Sequence, residues 1–294
     1  MPYAAEISRA NPACILILID QSTSMGMRLE SGRSKANFLA DVVNKTLYTL
    51  ITISSKADGV RDYFYLGVIA YSSGGARNGF SGPLARGQIL RPISEIAEHP
   101  TRIEVRHQKL AQPSLRNGTV HDGLIERQVK FPIWFEPRNR GNTSMCAALR
   151  MGVETIDEWC KSHSVCFPPL VLHVSDGHPT DGDPEPVADL LRSSGTEDGR
   201  TLLFNLHIDI RDIAEIAFPN AENRLPDKYA KKLFRMSSLL PQPFITPAKL
   251  KGFRIEANAR GFMYNAGIER VVDFFDIGTR PSLQVDGRAF SQDR

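Results

Sequence analysis

Long apolar runs are absent from the sequence. The longest one, Cys14 to Ile19, is far shorter than the roughly 20 residues that a membrane-spanning helix needs. The first residues, Met1 to Ala10, also lack the basic and then apolar pattern of a secretory signal. We therefore expect a cytoplasmic protein that binds no membrane.

Cysteine is scarce, with four residues in 294, at Cys14, Cys146, Cys160 and Cys166. They lie scattered in apolar or helical contexts, and without an export signal they are predicted to be reduced thiols. Cys160, His163 and Cys166 have a loose metal-ligand spacing. A structural zinc needs four ligands at firmer spacing, however, and no convincing fourth lies nearby. The spacing therefore does not predict a zinc site.

Two common catalytic motifs are missing as well. The chain has no G-x-x-x-x-G-K-[ST] loop, which excludes a P-loop nucleotide hydrolase, and no G-x-S-x-G elbow for a nucleophilic serine. A magnesium-dependent phosphatase of the haloacid dehalogenase type would need a second aspartate two positions after Asp20. That position is Ser22, which cannot act as a general acid. We therefore expect a binding protein and not an enzyme, with a phosphatase-like hydrolase as the alternative.

Excess charge of one sign is nearly absent. The net charge of +3 gives no general reason to expect binding to nucleic acid or membranes. Between Arg77 and Arg140, however, 11 Lys or Arg residues stand against 6 Asp or Glu residues. Binding of nucleic acid through this mildly basic segment is a second alternative. It ranks below protein binding because acidic residues are interspersed throughout the segment.

Strand and helix patterns alternate along the rest of the chain. Ala13 to Ile19 is continuously apolar and rich in β-branched residues, which is typical of a parallel strand buried on both faces. Ser34 to Ile53 has apolar residues at helical spacing. The further predicted elements are strand Tyr63–Tyr71, helix Met145–Trp159, strand Leu170–Val174, helix Pro186–Ser194, strand Thr201–Ile208, helix Asp227–Leu239, strand Gly261–Asn265 and helix Ile268–Phe275. This alternation predicts an α/β fold, with a doubly wound, mostly parallel sheet and helices on both faces.

One domain over residues 1–278 accounts for this pattern, followed by a C-terminal tail at 279–294. Residues of about 76–140 are predicted to be a long insertion after the second strand, with a hairpin that includes Gln128 to Phe135. A segment of this length inside a compact domain is expected to serve a purpose. Its aromatic residues Phe80, Trp134 and Phe135, and Tyr71 before it, could contact a partner or be buried in a core.

Three loops at predicted strand ends or helix starts carry oxygen-bearing side chains. They are Asp20 to Met25, Gly141 to Ser144, and Ser175 to Gly177. In open α/β sheets ligands bind beyond the carboxyl ends of the strands, where such loops meet. Helix caps and turns can explain one loop of this kind, but they explain all three poorly.

The residues in these loops suit a hard cation. Asp20, Ser22 and Ser24 place oxygens at every second position, and Thr143 and Asp176 could complete the set. Carboxylate and hydroxyl oxygens favour Mg²⁺ or Mn²⁺ over zinc. The acidic string Asp181, Asp183 and Glu185 could bind a second cation or simply begin a helix.

The motif Asp-x-Ser-x-Ser, with the later Gly-x-Thr and Asp-Gly loops, resembles the metal-ion-dependent adhesion site of von Willebrand factor A domains. The likeness covers most of residues 10–276 apart from the insertion, and Asp20, Ser22, Ser24, Thr143 and Asp176 fill all five family positions. It implies Mg²⁺ at the carboxyl edge of the sheet, bound directly by the hydroxyls and often through water by the aspartates. It also implies an open metal position that binds an Asp or Glu of a protein partner.

Residues beside these positions are candidates for contact with that partner, namely Gln21, Asn142, His178 and Asp181. More narrowly, the chain resembles the bacterial TerY-like subgroup. The likeness lies in Val129 to Pro137, Ser175 to Pro186 and Leu233 to Pro241. It implies a Ser/Thr kinase or a PPM-type phosphatase encoded nearby as the partner, in signalling, stress response or phage defence.

Overall fold

The computed structural model describes residues 2–29, 31–116, 119–208, 214–266 and 268–279. The strands within these ranges are β1 (Ala13–Asp20), β2 (Ser55–Lys56), β3 (Gly59–Val60), β4 (Phe64–Ser72), β5 (Gly75–Asn78), β6 (Arg91–Pro92), β7 (Arg102–Arg116), β8 (Thr119–Ile133), β9 (Leu170–Ser175), β10 (Gly195–Thr196), β11 (Gly199–Arg200), β12 (Leu202–His207), β13 (Ile216–Ala217) and β14 (Phe262–Tyr264). The helices are α1 (Lys35–Ser54), α2 (Ile93–Glu98), α3 (Met145–Ser162), α4 (Glu185–Ser193), α5 (Lys228–Met236), α6 (Gln242–Leu250) and α7 (Ile268–Thr279).

One mixed sheet forms the centre of the fold, in the order β13-β14-β12-β9-β1-β4-β5, with β6 also paired to β4. The inner strands β14, β12, β9, β1 and β4 are parallel to one another. Strands β13 and β5 are antiparallel and lie at the two edges, as β6 is beside β4. The predicted mostly parallel α/β sheet is therefore confirmed.

Strand β1 separates two helical layers. Its odd-numbered residues, such as Ile15 and Ile17, belong to a core cluster that includes buried residues of α1, α2, α6 and α7. Its even-numbered residues, such as Leu16 and Leu18, belong to a cluster with α3, α4 and α5. Successive strand residues point to opposite faces, so an apolar run is needed where both faces are covered. Helices on both faces of the sheet are thereby confirmed.

Two helices that the sequence did not predict add to the first layer. Helix α2 has only six residues. Helix α6 has Pro243 in its first turn and Pro247 in its interior. Proline in a first turn is tolerated because the missing N–H has no helical partner there, whereas an interior proline usually ends a helix. Because of these two prolines, the sequence did not predict α6. Its Phe244 and Ala248 are buried in the same core cluster as β1.

The segment at 76–140 is divided between the core and a hairpin with its own two-stranded sheet. Strand β5 extends the central sheet, and Phe80, Trp134 and Phe135 join the core cluster of β1 and α1. Strands β7 and β8 pair with each other over their full length and form a sheet of their own. Each of the four aromatic residues considered as partner contacts, Tyr71 included, is at most 2% exposed. Burial in the core, and not contact with a partner, is their role in the structure.

Asn44 of α1 anchors the base of this hairpin. Its Oδ1 accepts hydrogen bonds from the backbone N–H groups of Trp134 and Phe135, at 2.9 and 3.0 Å. Its Nδ2 donates to the carbonyl of Phe135 at 2.9 Å. One buried side chain therefore satisfies three backbone groups of the chain segment that leads from the hairpin to the Gly141 loop.

The cysteines, the C-terminal tail and the length of the helices were also addressed by the sequence. All four cysteines are free, and burial raises the pKa of Cys146 and Cys160 to about 11. The tail at 279–294 falls, beyond Thr279, outside the described residues. Within the described ranges no helix combines the length and apolarity that crossing a bilayer requires.

Candidate metal site

The first loop holds the Asp20 carboxylate in a fixed position at the end of β1. Asp20 is fully buried, and its Oδ1 accepts a hydrogen bond from the Ser22 N–H at 2.8 Å. Its Oδ2 accepts from the Ser175 hydroxyl at 2.8 Å. The short helical turn Thr23–Gly26 then brings the Ser24 Oγ to 3.0 Å from the Ser22 Oγ. Three oxygen-bearing side chains therefore lie together at this strand end.

The second loop is hydrogen-bonded directly to the first. The Thr23 N–H donates to the Gly141 carbonyl, and the Gly141 N–H donates to the Thr23 Oγ1, both at 2.9 Å. Gly141 has a φ of +87°, and a Cβ there would lie 2.1 Å from the Ser73 Oγ. Only glycine fits this position, because the backbone is left-handed and closely approached. Thr143, two residues later, is buried.

The third loop, Ser175 to Gly177, continues to Thr180, and Thr180 is hydrogen-bonded to the second loop. Thr180 donates to the Thr143 carbonyl through its N–H at 2.9 Å and its hydroxyl at 3.0 Å. In return, the Thr143 N–H donates to the Thr180 Oγ1 at 3.1 Å. The Gly177 N–H donates to the Ser175 Oγ, the same atom that donates to Asp20. The structure thus brings all three loops, and the five predicted metal residues on them, to one edge of the sheet.

The electrostatics of the site favour a cation. Burial first, and then the nearby charge of Asp176, raise the pKa of Asp20 to about 6, although hydrogen bonds from Ser22 and Ser175 oppose this rise. A divalent cation would offset both effects, since it replaces lost hydration and neutralises the repulsion. Among the described residues no group of three or more His, Cys, Asp or Glu could hold a metal, and the candidate set here combines two carboxylates with three hydroxyls. Carboxylate and hydroxyl oxygens together fit Mg²⁺ or Mn²⁺.

The candidate contact residues fall into two groups. Asn142 and His178 are exposed beside the site, and the His178 ring packs edge-on against Tyr229 at 4.7 Å between centroids. Gln21 is 2% exposed, its Nε2 donates to the Glu136 carbonyl at 3.1 Å, and its Oε1 accepts from Arg77. Gln21 therefore holds the loop in place and does not face a partner.

Asp181 caps a helix that begins 36 residues before it, at Met145. Its two carboxylate oxygens accept from the N–H groups of Cys146 and Ala147, at 3.0 and 2.9 Å. These are among the N–H groups that have no partner within α3, and a negative charge there also favours the helix dipole. The geometry thus assigns Asp181 a structural role that its sequence position did not reveal.

We expect Asp181→Ala to lower the free energy of unfolding by about 1 kcal/mol, the usual loss for a helix N-cap, and to leave partner binding unchanged. Urea-induced unfolding measures the first effect and partner capture the second. Asp183→Ala is the matched control, because Asp183 is exposed and its ion pair with Lys232 should contribute little to stability. Loss of capture with normal stability would instead make Asp181 a contact residue.

The next two acidic residues, Asp183 and Glu185, form ion pairs. Asp183 pairs with Lys232 at 2.5 Å, and Glu185 pairs with Arg235 at 2.7 Å. Both cations belong to α5. The structure therefore favours ion pairing over a second bound cation at Asp181, Asp183 and Glu185.

A buried row of polar side chains beneath the site was missed from the sequence. The Tyr71 hydroxyl lies 2.7 Å from the His173 Nε2, and the His173 Nδ1 lies 2.7 Å from the Asn205 Oδ1. The Asn205 Nδ2 donates to the Ser237 Oγ at 2.9 Å. Since the Asn205 Oδ1 can only accept, His173 carries its proton on Nδ1 and Tyr71 donates to Nε2. Burial lowers the pKa of His173 to about 4, so the ring is neutral at physiological pH.

This row links strands β4, β9 and β12 across β1, the strand that ends at Asp20. The available signal in the sequence was a polar residue at an inward position of an apolar strand, His173 in LVLHVS and Asn205 in LLFNLH. Such residues are costly to bury without partners. They therefore point to a hydrogen-bonded network even when its members cannot be paired from the sequence.

Comparisons with known proteins bear on the fold. No protein-family model matches the chain. No curated protein matches it by sequence. Among solved structures, the pilus adhesin SpaC from Lactobacillus rhamnosus GG aligns with a TM-score of 0.51 at 12% identity, over 95% of this chain and 32% of that one.

Two other structures align less closely. Proximal thread matrix protein 1 from the mussel byssus has a TM-score of 0.43 at 16% identity, over 96% of this chain and 49% of that one. The manganese-loaded TRAP protein of Plasmodium vivax has a TM-score of 0.40 at 15% identity, over 93% and 74%. This chain spans about a third of the adhesin and half of the mussel protein. At these identities the adhesin shows a shared fold only.

Proposed function

We propose that the chain is a von Willebrand factor A-type module that binds a divalent cation and, through it, a carboxylate of a protein partner. The metal residues are Asp20, Ser22, Ser24, Thr143 and Asp176, and the metal is Mg²⁺ or Mn²⁺. One observation carries the proposal: the three loops with these residues hydrogen-bond to one another at the carboxyl edge of the sheet. That edge is where open α/β sheets bind their ligands.

The donor set supports binding over catalysis. Hydroxyl ligands are neutral, so a bound metal would keep much of its charge and attract a carboxylate. Ser22 occupies the position at which a phosphatase of the haloacid dehalogenase type has its general acid, and its Oγ lies 3.0 Å from the Ser24 Oγ. A hydroxyl there cannot protonate a leaving group near neutral pH. The affinity for a partner would come mainly from the surrounding surface, because one charged contact chiefly adds specificity.

The partner belongs to the same proposal. Its likeness to the TerY-like subgroup supports a cytoplasmic bacterial protein that binds a Ser/Thr kinase or PPM-type phosphatase encoded nearby, in signalling, stress response or phage defence. Ion pairs of two arginines in the basic segment support a protein partner over nucleic acid at the β7–β8 hairpin. Arg102 and Arg106 of the basic segment are paired with Glu104, Glu136 and Asp41. They are therefore not free to bind phosphates.

We expect Asp20→Ala and Asp176→Ala to weaken Mg²⁺ binding by at least about 10- to 100-fold, as measured by calorimetry, with the fold retained. Asp183→Ala is the control, since it removes an exposed carboxylate from the same region without touching the three loops. Unchanged Mg²⁺ affinity in both variants would rule out the site.

Capture of the neighbouring kinase or phosphatase should also weaken on chelation. Capture that resists the chelator would contradict metal-dependent binding.

A further inference from the structure

The acidic side chains that follow Asp176 are neutralised within the protein. Asp181 accepts two hydrogen bonds from the start of α3. Asp183 and Glu185 pair with Lys232 and Arg235 of α5. On this side of the site, the described acids therefore contribute little free negative charge.

The opposite side carries cations that have no acidic partner among the described residues. Arg138 and Arg140 are exposed and form no ion pair there, in contrast to Arg102, which pairs with Glu104 and Glu136. Burial first, and then the charge of Arg138, lower the pKa of Arg77. Arg77 in turn donates to Gln21 in the metal loop. Arg77 and Arg138 are therefore close enough for their charges to interact, and Arg77 contacts the metal loop.

Arg140 contacts the metal loop through its backbone, and Arg138 stands two residues before it in the chain. The Arg140 N–H donates to the Gln21 carbonyl at 2.9 Å, between Asp20 and Ser22 in the chain. The Asn139 side chain lies over Gly26, where an added Cβ would come within 2.3 Å of its Nδ2. A backbone hydrogen bond thus holds Arg140 beside the loop, while Arg138 and Arg140 are both exposed to solvent.

We propose that Arg138 and Arg140 form a second recognition element beside the metal, and that the partner segment is an acidic peptide with several carboxylates. One carboxylate binds the metal, and neighbouring ones bind the guanidinium groups. This inference rests on the proposed metal-dependent function. Guanidinium is the side-chain group whose paired N–H donors match a carboxylate in two-point contact, and its exposure here leaves those donors available.

Peptide binding to the full chain tests the inference. The probes are two fluorescent glycine–serine peptides, one with a single aspartate and one with three aspartates at alternate positions, measured by polarisation in saturating Mg²⁺. Wild type should bind the three-aspartate peptide about tenfold more tightly, and high salt should reduce this preference. Arg138→Ala with Arg140→Ala should abolish the preference and leave calorimetric Mg²⁺ affinity unchanged. Arg138→Lys with Arg140→Lys should retain part of it.

The matched control is Arg9→Ala with Lys161→Ala. Both residues are exposed, one before β1 and the other in the last turn of α3, at the opposite edge of the sheet. This control should keep the preference. If the arginine variant keeps it as well, while binding remains Mg²⁺-dependent, the inference is wrong and the proposed function stands. If the three-aspartate peptide does not bind at all, the inference is likewise wrong, whereas binding that is equally tight in Mg²⁺ and in chelator would contradict the proposed function itself.

Discussion

Replacing Asn44 with alanine is expected to lower the free energy of unfolding by about 3–5 kcal/mol. The side chain is 1% exposed and makes four hydrogen bonds. Beyond its own helix, it satisfies the N–H groups of Trp134 and Phe135 and the carbonyl of Phe135. Alanine removes these partners, and a buried polar group left without one costs about 1–3 kcal/mol.

Urea-induced unfolding followed by tryptophan fluorescence measures this loss, since Trp134 adjoins the lost contacts. Asn37→Ala is the matched control, because Asn37 is exposed on the same helix. Its effect should stay within about 0.5 kcal/mol. Amide exchange at Trp134 and Phe135 should accelerate in the Asn44 variant alone. Equal stability of the two variants would show that Asn44 does not anchor the hairpin.

Replacing Asp20 with asparagine is expected to abolish Mg²⁺ binding and yet to stabilise the metal-free protein by up to about 3 kcal/mol near neutral pH. Burial, and then the charge of Asp176, raise the pKa of Asp20 from 3.8 to about 6. This rise of the pKa means that folding destabilises the ionised carboxylate, relative to the protonated one, by about 3 kcal/mol. Asparagine keeps an oxygen for the Ser22 N–H, and the Ser175 hydroxyl can accept from the new amide instead of donating.

The stabilisation has a defined pH dependence. Because folding raises the pKa of Asp20, the folded protein holds this proton more tightly than the unfolded chain. The stability due to protonated Asp20 is therefore complete below about pH 3.8 and is lost as the pH rises through about 6. In chelator, the advantage of Asp20→Asn should grow from near zero at about pH 4 to about 3 kcal/mol above about pH 6.5. Saturating Mg²⁺ should reduce or reverse it, because only wild type gains binding free energy.

Asp183→Asn is the control, because folding lowers the pKa of Asp183 whereas it raises the pKa of Asp20. The hydrogen bond from Lys232 lowers the pKa of Asp183, so its ionised form is favoured in the folded protein. The amide variant should therefore be no more stable than wild type at any pH. If Asp20→Asn behaves in the same way in chelator, the Asp20 carboxylate is not destabilising and the argument for a cation loses its electrostatic support.

Much of the fold could be predicted because its signals are local. The apolar run Ala13 to Ile19 reflects burial on both faces of the sheet, and β1 is observed at Ala13–Asp20. The helix predicted at Ser34 to Ile53 is observed at Lys35–Ser54, with the Ser34 hydroxyl accepting from the Asn37 N–H. Such patterns depend only on the repeat of a strand or helix and on its first turn. They can therefore be recognised without knowing which elements touch.

Some residues of the candidate site could also be predicted from local signals, and others could not. Asp20, Ser22 and Ser24 stand close together in the chain, Asp176 directly follows β9 and Thr143 precedes α3, so the sequence could predict their grouping at the carboxyl edge of an α/β sheet. The roles of Gln21 and Asp181 did not. Gln21 binds Glu136 and Arg77, and Asp181 caps a helix 36 residues away. Both look like surface residues of a polar loop until their distant partners are known.

Sequence alone therefore determined the alternating α/β order and the set of residues proposed to bind the metal. Tertiary structure decided that Trp134 and Phe135 belong to the main core. It also decided which polar residues form one buried row, namely Tyr71, His173, Asn205 and Ser237. It placed Arg140 beside Gln21 as well. The physical reason is the range of the interactions. Periodicity and strand ends are set by neighbours in the chain, whereas the partner of a buried polar group or a free charge depends on register and packing between distant segments.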